Sequence, residues 1–300
     1  AWVGSRDAGS CLRGTRAVPG LSMGGHTGWV RAIAGCWLIA AGEQAELPEM
    51  AGSGQPCLQL FSCACNFIKV WSVRPPSNPE AFCGSDVHHH GDLKIFRGDI
   101  LALCCSGSHL YAGVADGSIY WWQLGSPGSR LEGWEVGHIP EAHSGRVTAL
   151  VALDGCLVSA GQDGLLVLWG TQGWSAKNSI RRSHGIRVCS PGSASALCAC
   201  KGSSGRELVF AGGKDGFVHA FIVDSTSGRL QAAAWDAGPL LEIDAGIRAL
   251  HAAAAHHAPQ QGPASSEGCH KEEPDEHADE IVLSVGDDQG RVHVWTVRLL

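Results

Sequence analysis

The segment Ala142–Gly170, AHSGRVTALVALDGCLVSAGQDGLLVLWG, carries the pattern from which the fold can be inferred. It holds three short apolar runs, RVTALV, CLVSA and LLVLW, and the third follows directly after Asp163–Gly164. Short apolar runs separated by Gly and Asp are typical of antiparallel strands joined by tight turns, because Gly tolerates positive φ and Asp can hydrogen-bond its own backbone. We therefore expect three strands of one sheet between His143 and Trp169.

Four further copies of this order occur along the chain. They are GHTGWVRAIAGCWLIAAG with LFSCACNFIKVW, GDILALCCSGSHLYAGVADGSIYWW, SHGIRVCS with SALCAC and LVFAGGKDGFVHAF, and DAGIRALHAAA with IVLSVGDDQGRVHVW. The turn residue is Asp116, Asp163 or Asp215 in three copies, whereas Asp288 lies one place earlier and the first copy has Cys65–Asn66. One such unit cannot cover both faces of its own sheet, so several copies must pack against one another.

The order Gly-His, three strands, Asp-Gly and a terminal Trp resembles the WD-repeat (WD40-repeat) family, and the resemblance covers roughly residues 26–298. It implies an all-β fold, a WD40-type β-propeller whose four-stranded blades surround a central channel. The stretches GHTGWVRA, CNFIKVW, GDILAL and AHSGRVTAL are also similar to a plant or green-algal group of WD-repeat proteins.

We expect residues 1–300 to form one propeller domain with five near-complete four-stranded blades and an N-terminal partial blade, the last copy lacking an outer strand of its own. The predicted blade units are 26–96, 98–136, 142–181, 183–243 and 244–298. A turn-like stretch around Asp7 favours a piece of a seven-bladed propeller, with a six-bladed ring as the alternative. The acidic, His-rich insertion 255–280 is predicted to be disordered, because it has too little apolar surface to order itself.

In this family a histidine, a Ser or Thr, the turn Asp and the strand Trp form a hydrogen-bonded chain inside a blade. The resemblance implies such a tetrad for His143, Ser159, Asp163 and Trp169. In other copies the set is incomplete, and Ala40 and Ala112 are expected where the hydroxyl would be. A Ser/His/Asp set also suggests a hydrolase, but the family places these groups inside a sheet, so we predict no catalytic residue and no enzyme.

The residue just before each innermost strand is expected at the loop-lined face of the propeller. By alignment of the copies these residues are Trp29, Asp99, Arg146, Arg187 and Gly246. Trp and Arg dominate the energetics of protein interfaces. We therefore interpret Trp29, Asp99, Arg146 and Arg187 as a partner-binding rim, and predict a scaffold for protein–protein interactions.

Two alternative functions arise from other features. The stretches IKVWSVR, ending at Arg74, and VHVWTVR, ending at Arg298, resemble the motif by which some WD-repeat proteins dock to a cullin ubiquitin-ligase adaptor, although Ser72 and Thr296 stand where that motif has Asp. A substrate receptor of a cullin-type ubiquitin ligase is therefore the first alternative. The second is an RNA-binding propeller. The net charge of −7 lies mostly in residues 256–280, and a nearly neutral remainder disfavours a nucleic-acid surface.

The sequence carries weaker indications about metal binding, membrane insertion and cellular compartment. Candidate metal ligands are His256, His257, Cys269, His270, His277 and the run His88–His90, but nothing in the sequence fixes their positions, so we predict no metal and no cofactor. No apolar run approaches the roughly 18 residues of a membrane span. The 13 cysteines without framework spacing indicate a reduced intracellular protein of the cytoplasm or nucleus, with import into an organelle left open.

Overall fold

The computed structural model describes residues 25–38, 57–73, 87–95, 97–125, 131, 134–153, 155–170, 181–187, 194–202, 204–224, 227, 229–232, 239–255 and 279–299. Their regular structure is β-strand, in twenty strands. The expected N-terminal partial blade, Arg74, Ala40 and most of the predicted disordered insertion lie outside these residues. The last two residues of the insertion 255–280 are ordered, contrary to the predicted disorder. Asp279 and Glu280 begin a strand, and the Glu280 carbonyl accepts a hydrogen bond from the amide of Ala255.

The strands form five antiparallel sheets in chain order. The first sheet comprises β1 (Ala32–Leu38), β2 (Cys57–Ala64), β3 (Phe67–Val73) and β4 (Val87–Lys94). The second comprises β5 (Ile100–Ser106), β6 (His109–Val114), β7 (Ile119–Gln123) and β8 (Val136–Ile139). The third comprises β9 (Val147–Leu153), β10 (Cys156–Gly161), β11 (Leu165–Gly170) and β12 (Arg181–Arg187). The fourth comprises β13 (Ala194–Lys201), β14 (Glu207–Gly213), β15 (Phe217–Asp224), β16 (Arg229–Ala232) and β17 (Leu241–Glu242). The fifth comprises β18 (Ile247–Ala254), β19 (Asp279–Asp287) and β20 (Val292–Leu299).

The terminal aromatic residue of each copy occupies the same place in its sheet. It lies on the third strand, opposite an aliphatic residue of the second strand. The pairs are Trp71 with Leu60, Trp122 with Leu110, Trp169 with Leu157, Phe221 with Val209, and Trp295 with Leu283. Because this register recurs in every sheet, the five copies can be compared position by position.

Consecutive sheets pack face to face, with innermost strands β1, β5, β9, β13 and β18 side by side. A buried apolar cluster fills each of the four seams between them, and the one between the first two sheets includes the fully buried Ile68 and Ile100. At the two ends of the series, Ile33 on β1 and Val292 on β20 are 61% and 72% exposed. Among the described strands the five sheets thus form an arc consistent with a β-propeller.

The boundary between the third and fourth copies differs from the prediction. The stretch SHGIRVCS was expected to open the fourth copy, but residues 183–187 belong to β12, where Ile186 pairs with Leu166 and Arg187 with Leu165. The innermost strand of the fourth sheet is β13 instead, with the sequence ASALCACK, and it pairs with β14. His184 therefore lies inside an outer strand, opposite Leu168, and does not precede an innermost strand.

The outer edges of the last two sheets are irregular. In the fourth sheet, β16 and β17 pair with different parts of β15, so two short segments share one edge. The fifth sheet has three strands among the described residues, which is the number predicted for the last copy.

Candidate functional site

One edge of the sheets brings the candidate rim residues to equivalent positions. We call it the entry edge, because the chain enters the innermost strands there, after Trp29, Asp99, Arg146 and Gly246. Backbone hydrogen bonds tie this point to the turn between the second and third strands of the same sheet. The amides of Ala115, Gln162 and Asp288 donate to the carbonyls of Asp99, Arg146 and Gly246, each at 2.8 Å.

Three of the predicted rim residues point their side chains into solvent at the entry edge. Trp29 is 84% exposed, and Asp99 and Arg146 are exposed at the corresponding places of the second and third sheets. Gly246 is buried instead, and a Cβ there would lie 2.8 Å from a carboxylate oxygen of Asp288. The fifth sheet therefore offers no side chain at this point.

Arg187 does not precede an innermost strand as predicted. It ends β12, the outer strand of the third sheet, where it pairs with Leu165 directly after the Asp163–Gly164 turn. It therefore lies at the entry edge, but on the far side of the third sheet from Arg146.

Exposed apolar residues are concentrated in and beside the first sheet, beyond the single Trp29 that was predicted there. Val30 and Ile33 lie next to Trp29 in the chain and are exposed, and Phe67 at the start of β3 is exposed as well. The Lys94 ammonium lies 5.3 Å from the centre of the Phe67 ring, a cation–π distance. The signal was available in the run GWVRAI, where Trp29 and Val30 are adjacent and so cannot both face one side of a strand.

The predicted tetrad forms in the third sheet. His143 Nδ1 lies 3.1 Å from Asp163 Oδ1, and His143 Nε2 lies 2.7 Å from Ser159 Oγ. The indole N–H of Trp169 donates to the same Oγ at 2.8 Å. The carboxylate favours the proton on Nδ1, so Ser159 donates its hydroxyl proton to Nε2 and accepts from Trp169. Every polar atom of this buried chain is thereby paired.

The turn carboxylate is held in its charged form. Burial raises the pKa of Asp163, but the amides of Leu165 and Ser144 and the His143 ring outweigh it, so the pKa lies below its ordinary value. Since Asp163 also accepts from Leu165 N at 3.1 Å, one side chain fixes both the turn and the histidine.

The first sheet contains three of the four partners, contrary to the expectation of a lost hydroxyl at Ala40. His26 Nε2 lies 2.8 Å from Ser62 Oγ, and Trp71 donates its indole N–H to that oxygen at 3.0 Å. The turn between β2 and β3 is one residue shorter than in the third sheet, and Cys65 in it adopts a positive φ of 51°. The side-chain Nδ2 of Asn66 donates to the Ile95 carbonyl at 3.0 Å. The first sheet therefore has no carboxylate in the place of Asp163. In the second sheet Ala112 does occupy the hydroxyl position, opposite Tyr120.

In the last sheet the organising carboxylate is Asp287, not Asp288. Asp287 is buried and accepts from the amides of Gln289 and Arg291 at 3.0 and 2.8 Å, and from Arg291 Nε at 2.6 Å. The two amides donate to Oδ1, whereas Arg291 Nε donates to Oδ2, and His293 Nε2 lies 3.1 Å from that same Oδ2. Burial raises the pKa of Asp287, but these hydrogen bonds outweigh it and hold the pKa well below its usual range.

The remaining candidate residues lie apart from this edge or bond elsewhere. His89 Nε2 is 2.9 Å from Asp92 Oδ1, and His90 Nε2 is 2.7 Å from Ser72 Oγ. In the described part of the chain no three His, Cys, Asp or Glu side chains converge as metal ligands. Arg298, the candidate adaptor contact, is exposed and donates to Glu280 at 2.8 Å. None of the described residues belongs to a helix that could span a membrane.

Comparison with known proteins finds structural similarity alone. No family model matches the chain, and no curated protein matches it significantly. The computationally designed Ika4 protein superimposes with a TM-score of 0.42 and 19% identity, over 68% of this chain and 95% of that one. The designed Ika8 protein superimposes with a TM-score of 0.45 and 19% identity over 80% of this chain. A chain of the mitotic checkpoint complex superimposes with a TM-score of 0.49 and 14% identity over 82% of this chain. The match spans 55% and 61% of the length of these last two chains.

Proposed function

We propose that this chain is a WD-repeat β-propeller that acts as a non-catalytic scaffold, and that it binds a partner protein at the entry edge of its first three sheets. The observation that carries the proposal is the exposure of Trp29, 84% of whose surface is open to solvent. A free indole side chain presents a large apolar area together with one N–H donor, which is the combination that anchors interfaces.

The neighbouring positions add charge to this anchor. Asp99 and Arg146 are exposed at the equivalent points of the next two sheets, so the entry edge presents an aromatic, an acidic and a basic group in sequence. Val30 extends the apolar part beside Trp29. We expect the partner to offer an apolar pocket for Trp29, with a basic group facing Asp99 and an acidic group facing Arg146.

The alternative functions receive less support. A hydrolase would need a reachable nucleophile, whereas Ser159 is fully buried between Trp169 and His143. A ligase receptor would use Arg298, but that guanidinium is engaged by Glu280 and the motif carboxylate is absent at Thr296. An RNA-binding surface would need more positive charge than the entry edge offers. We also propose an intracellular location, in keeping with the reduced cysteines.

Affinity purification with quantitative mass spectrometry tests the scaffold. We expect a specific partner set to be recovered with the wild-type chain and lost with Trp29→Ala and with Arg146→Ala, each of which should keep the wild-type circular dichroism and melting temperature. Val136→Ala is the matched control, because Val136 is an exposed apolar residue on outer strand β8, away from the entry edge.

The outcomes separate the candidates. Retention of the whole partner set by both entry-edge variants would overturn the proposal. A cullin adaptor released by Arg298→Ala would support the ligase receptor instead. Recovery of RNA with steep salt dependence would support the nucleic-acid alternative.

A further inference from the structure

Two cysteines from different sheets face each other in the first seam. Cys36 near the end of β1 and Cys105 near the end of β5 both pack against the apolar cluster between the first and second sheets. On β1 the residues facing this seam are Ala32, Ala34 and Cys36, in the alternation expected for a strand. The two innermost strands run side by side, so the side chains meet at the end opposite the entry edge.

The two thiols lie in the same seam close enough to interact directly. The Cys105 thiol donates to the Cys36 sulfur, which lowers the pKa of Cys36 although burial opposes this, and the same bond raises the pKa of Cys105 together with burial. Both side chains are half-buried, so a small solute can reach them. Cys36 is therefore the nucleophile of the pair and Cys105 the second sulfur.

We propose that Cys36 and Cys105 are a redox modification site, at which hydrogen peroxide produces a reversible disulfide that joins the first two sheets. The Cys36 thiolate attacks a peroxide oxygen, the O–O bond breaks, and the leaving hydroxide takes a proton to become water. This step leaves a sulfenic acid on Cys36. Cys105 loses its proton and attacks the Cys36 sulfur, the S–S bond forms, and the S–O bond breaks to release a second water. Two thiols lose two electrons and two protons, and one peroxide is reduced to two waters.

Cys104, Cys63, Cys198 and Cys200 are poorly placed to compete. Cys104 faces the next seam, not the first, and is half-buried there, where burial alone raises its pKa. Burial raises the pKa of Cys63 to about 11, and its sulfur lies 3.9 Å from the Ile100 carbonyl oxygen. Cys198 and Cys200 lie two apart on one face of β13, a spacing of about 6.6 Å along a strand, which is at the upper limit for a disulfide and well above the usual separation.

The last seam provides a matched control. Its cluster contains Cys198 and Cys200 of β13 and Ala252 of β18. The strand registers make Cys200 the counterpart of Cys36 and Ala252 the counterpart of Cys105. In the last seam the half-buried Cys200 therefore lies opposite alanine, not opposite a second cysteine. Cys200→Ser removes a thiol from an equivalent position and leaves Cys36 and Cys105 unchanged.

The test uses the purified 300-residue chain, reduced and then exposed to hydrogen peroxide. Thiols are blocked with N-ethylmaleimide, and non-reducing digestion with mass spectrometry maps the links. We expect a Cys36-to-Cys105 cross-linked peptide that dithiothreitol removes, that is absent in Cys36→Ser and Cys105→Ser, and that is retained in Cys200→Ser. Closing a loop of this size should also raise the melting temperature of the oxidised chain by about 5–10 °C.

A comparison with the unfolded chain makes the outcome decisive. In urea the link should form at least about tenfold more slowly, because the fold no longer holds the sulfurs together. Oxidation of Cys36 to sulfinic acid without a link, a link to another cysteine, or equal rates in urea would each overturn the proposal. Binding at the entry edge lies at the other end of the sheets, so the result is independent of the scaffold function.

Discussion

The indole nitrogen of Trp169 lies 2.8 Å from the hydroxyl oxygen of Ser159, at a point where Ser159 has no exposure to solvent. The same hydroxyl also meets His143 at 2.7 Å, so one oxygen links the third strand of the sheet to the loop that precedes the first. The hydroxyl thus acts as a junction, and its removal leaves two buried nitrogens without their partner.

Ser159→Ala should therefore destabilise the protein by more than the loss of one hydrogen bond. The Trp169 N–H loses its acceptor and His143 Nε2 loses its donor, and such losses cost about 1–3 kcal/mol each when the atoms stay buried. We expect the free energy of unfolding to fall by about 2–4 kcal/mol in urea titrations followed by tryptophan fluorescence. Ser144→Ala is the control, because that exposed hydroxyl makes a 3.4 Å contact with Asp163; equal losses in the two variants would contradict the junction role.

The two histidines that meet a serine should differ in their importance. His143 is buried between Asp163 and Ser159, whereas His26 is half-buried and meets Ser62 without a carboxylate partner in the turn. We expect His143→Ala to lower the free energy of unfolding by about 2–4 kcal/mol and His26→Ala by about 1 kcal/mol or less. Equal effects would mean that the carboxylate contributes nothing to the third-sheet chain.

The tetrad was implied by the resemblance to the WD-repeat family, and its residues could be matched because all four fall in one uninterrupted copy. Between Ala142 and Gly170 the turns are short, so the four matched positions stay in register along the chain. In the first copy a long insertion separates β1 from β2. The position of the hydroxyl was therefore assigned to Ala40, before the insertion, whereas the structure places Ser62 there, after it.

Outer strands were harder to predict for a related reason. An outer strand is held by backbone bonds to one neighbour, and almost any alternating stretch can make them. The residues of β12 look like the start of a copy, and only the pairing of Ile186 with Leu166 distinguishes them. Asp287 and Asp288 are adjacent, and the backbone conformation of the turn, which the sequence does not specify, decides which carboxylate turns inward.

Acid should destabilise the fold through Asp163 and Asp287. The pKa of each carboxyl is lower in the folded state than in the unfolded state, so the unfolded state binds protons first as the pH falls. This contribution to stability is present above the unfolded pKa of about 3.9 and is lost as the pH falls through the lower folded values. Urea titrations between neutral pH and about pH 3 should show a steep loss of stability below about pH 4.

The variant Asp287→Asn isolates one of these groups. It should be less stable at pH 7, because Arg291 and His293 lose a charged acceptor, and its loss of stability on acidification should be smaller than in the wild type. Asp288→Asn, one residue along on an exposed side chain, should keep the wild-type stability at pH 7. An unchanged acid dependence in Asp287→Asn would contradict the assignment.

Two glycines with the same backbone conformation should respond differently to alanine. Gly117 and Gly290 both have positive φ, 88° and 80°, which costs about 1–2 kcal/mol for alanine. At Gly290 nothing lies within 4 Å of an added Cβ, so Gly290→Ala should cost only that amount. At Gly117 the Cβ would overlap the carbonyl oxygen of His143 and lie 2.9 Å from that of Gly145, both in the loop that leads into the third sheet.

Gly117→Ala should therefore separate the second sheet from the third at the entry edge. The amide of His143 donates to the Gly117 carbonyl at 3.0 Å, and this bond cannot survive the displacement that relieves the overlap. We expect a loss of about 3–4 kcal/mol in urea titrations and faster hydrogen exchange at the His143 amide, while Gly290→Ala leaves that amide protected. If both variants lose the same stability and His143 stays protected, the close approach of the two sheets at Gly117 is not what holds the tetrad histidine in place.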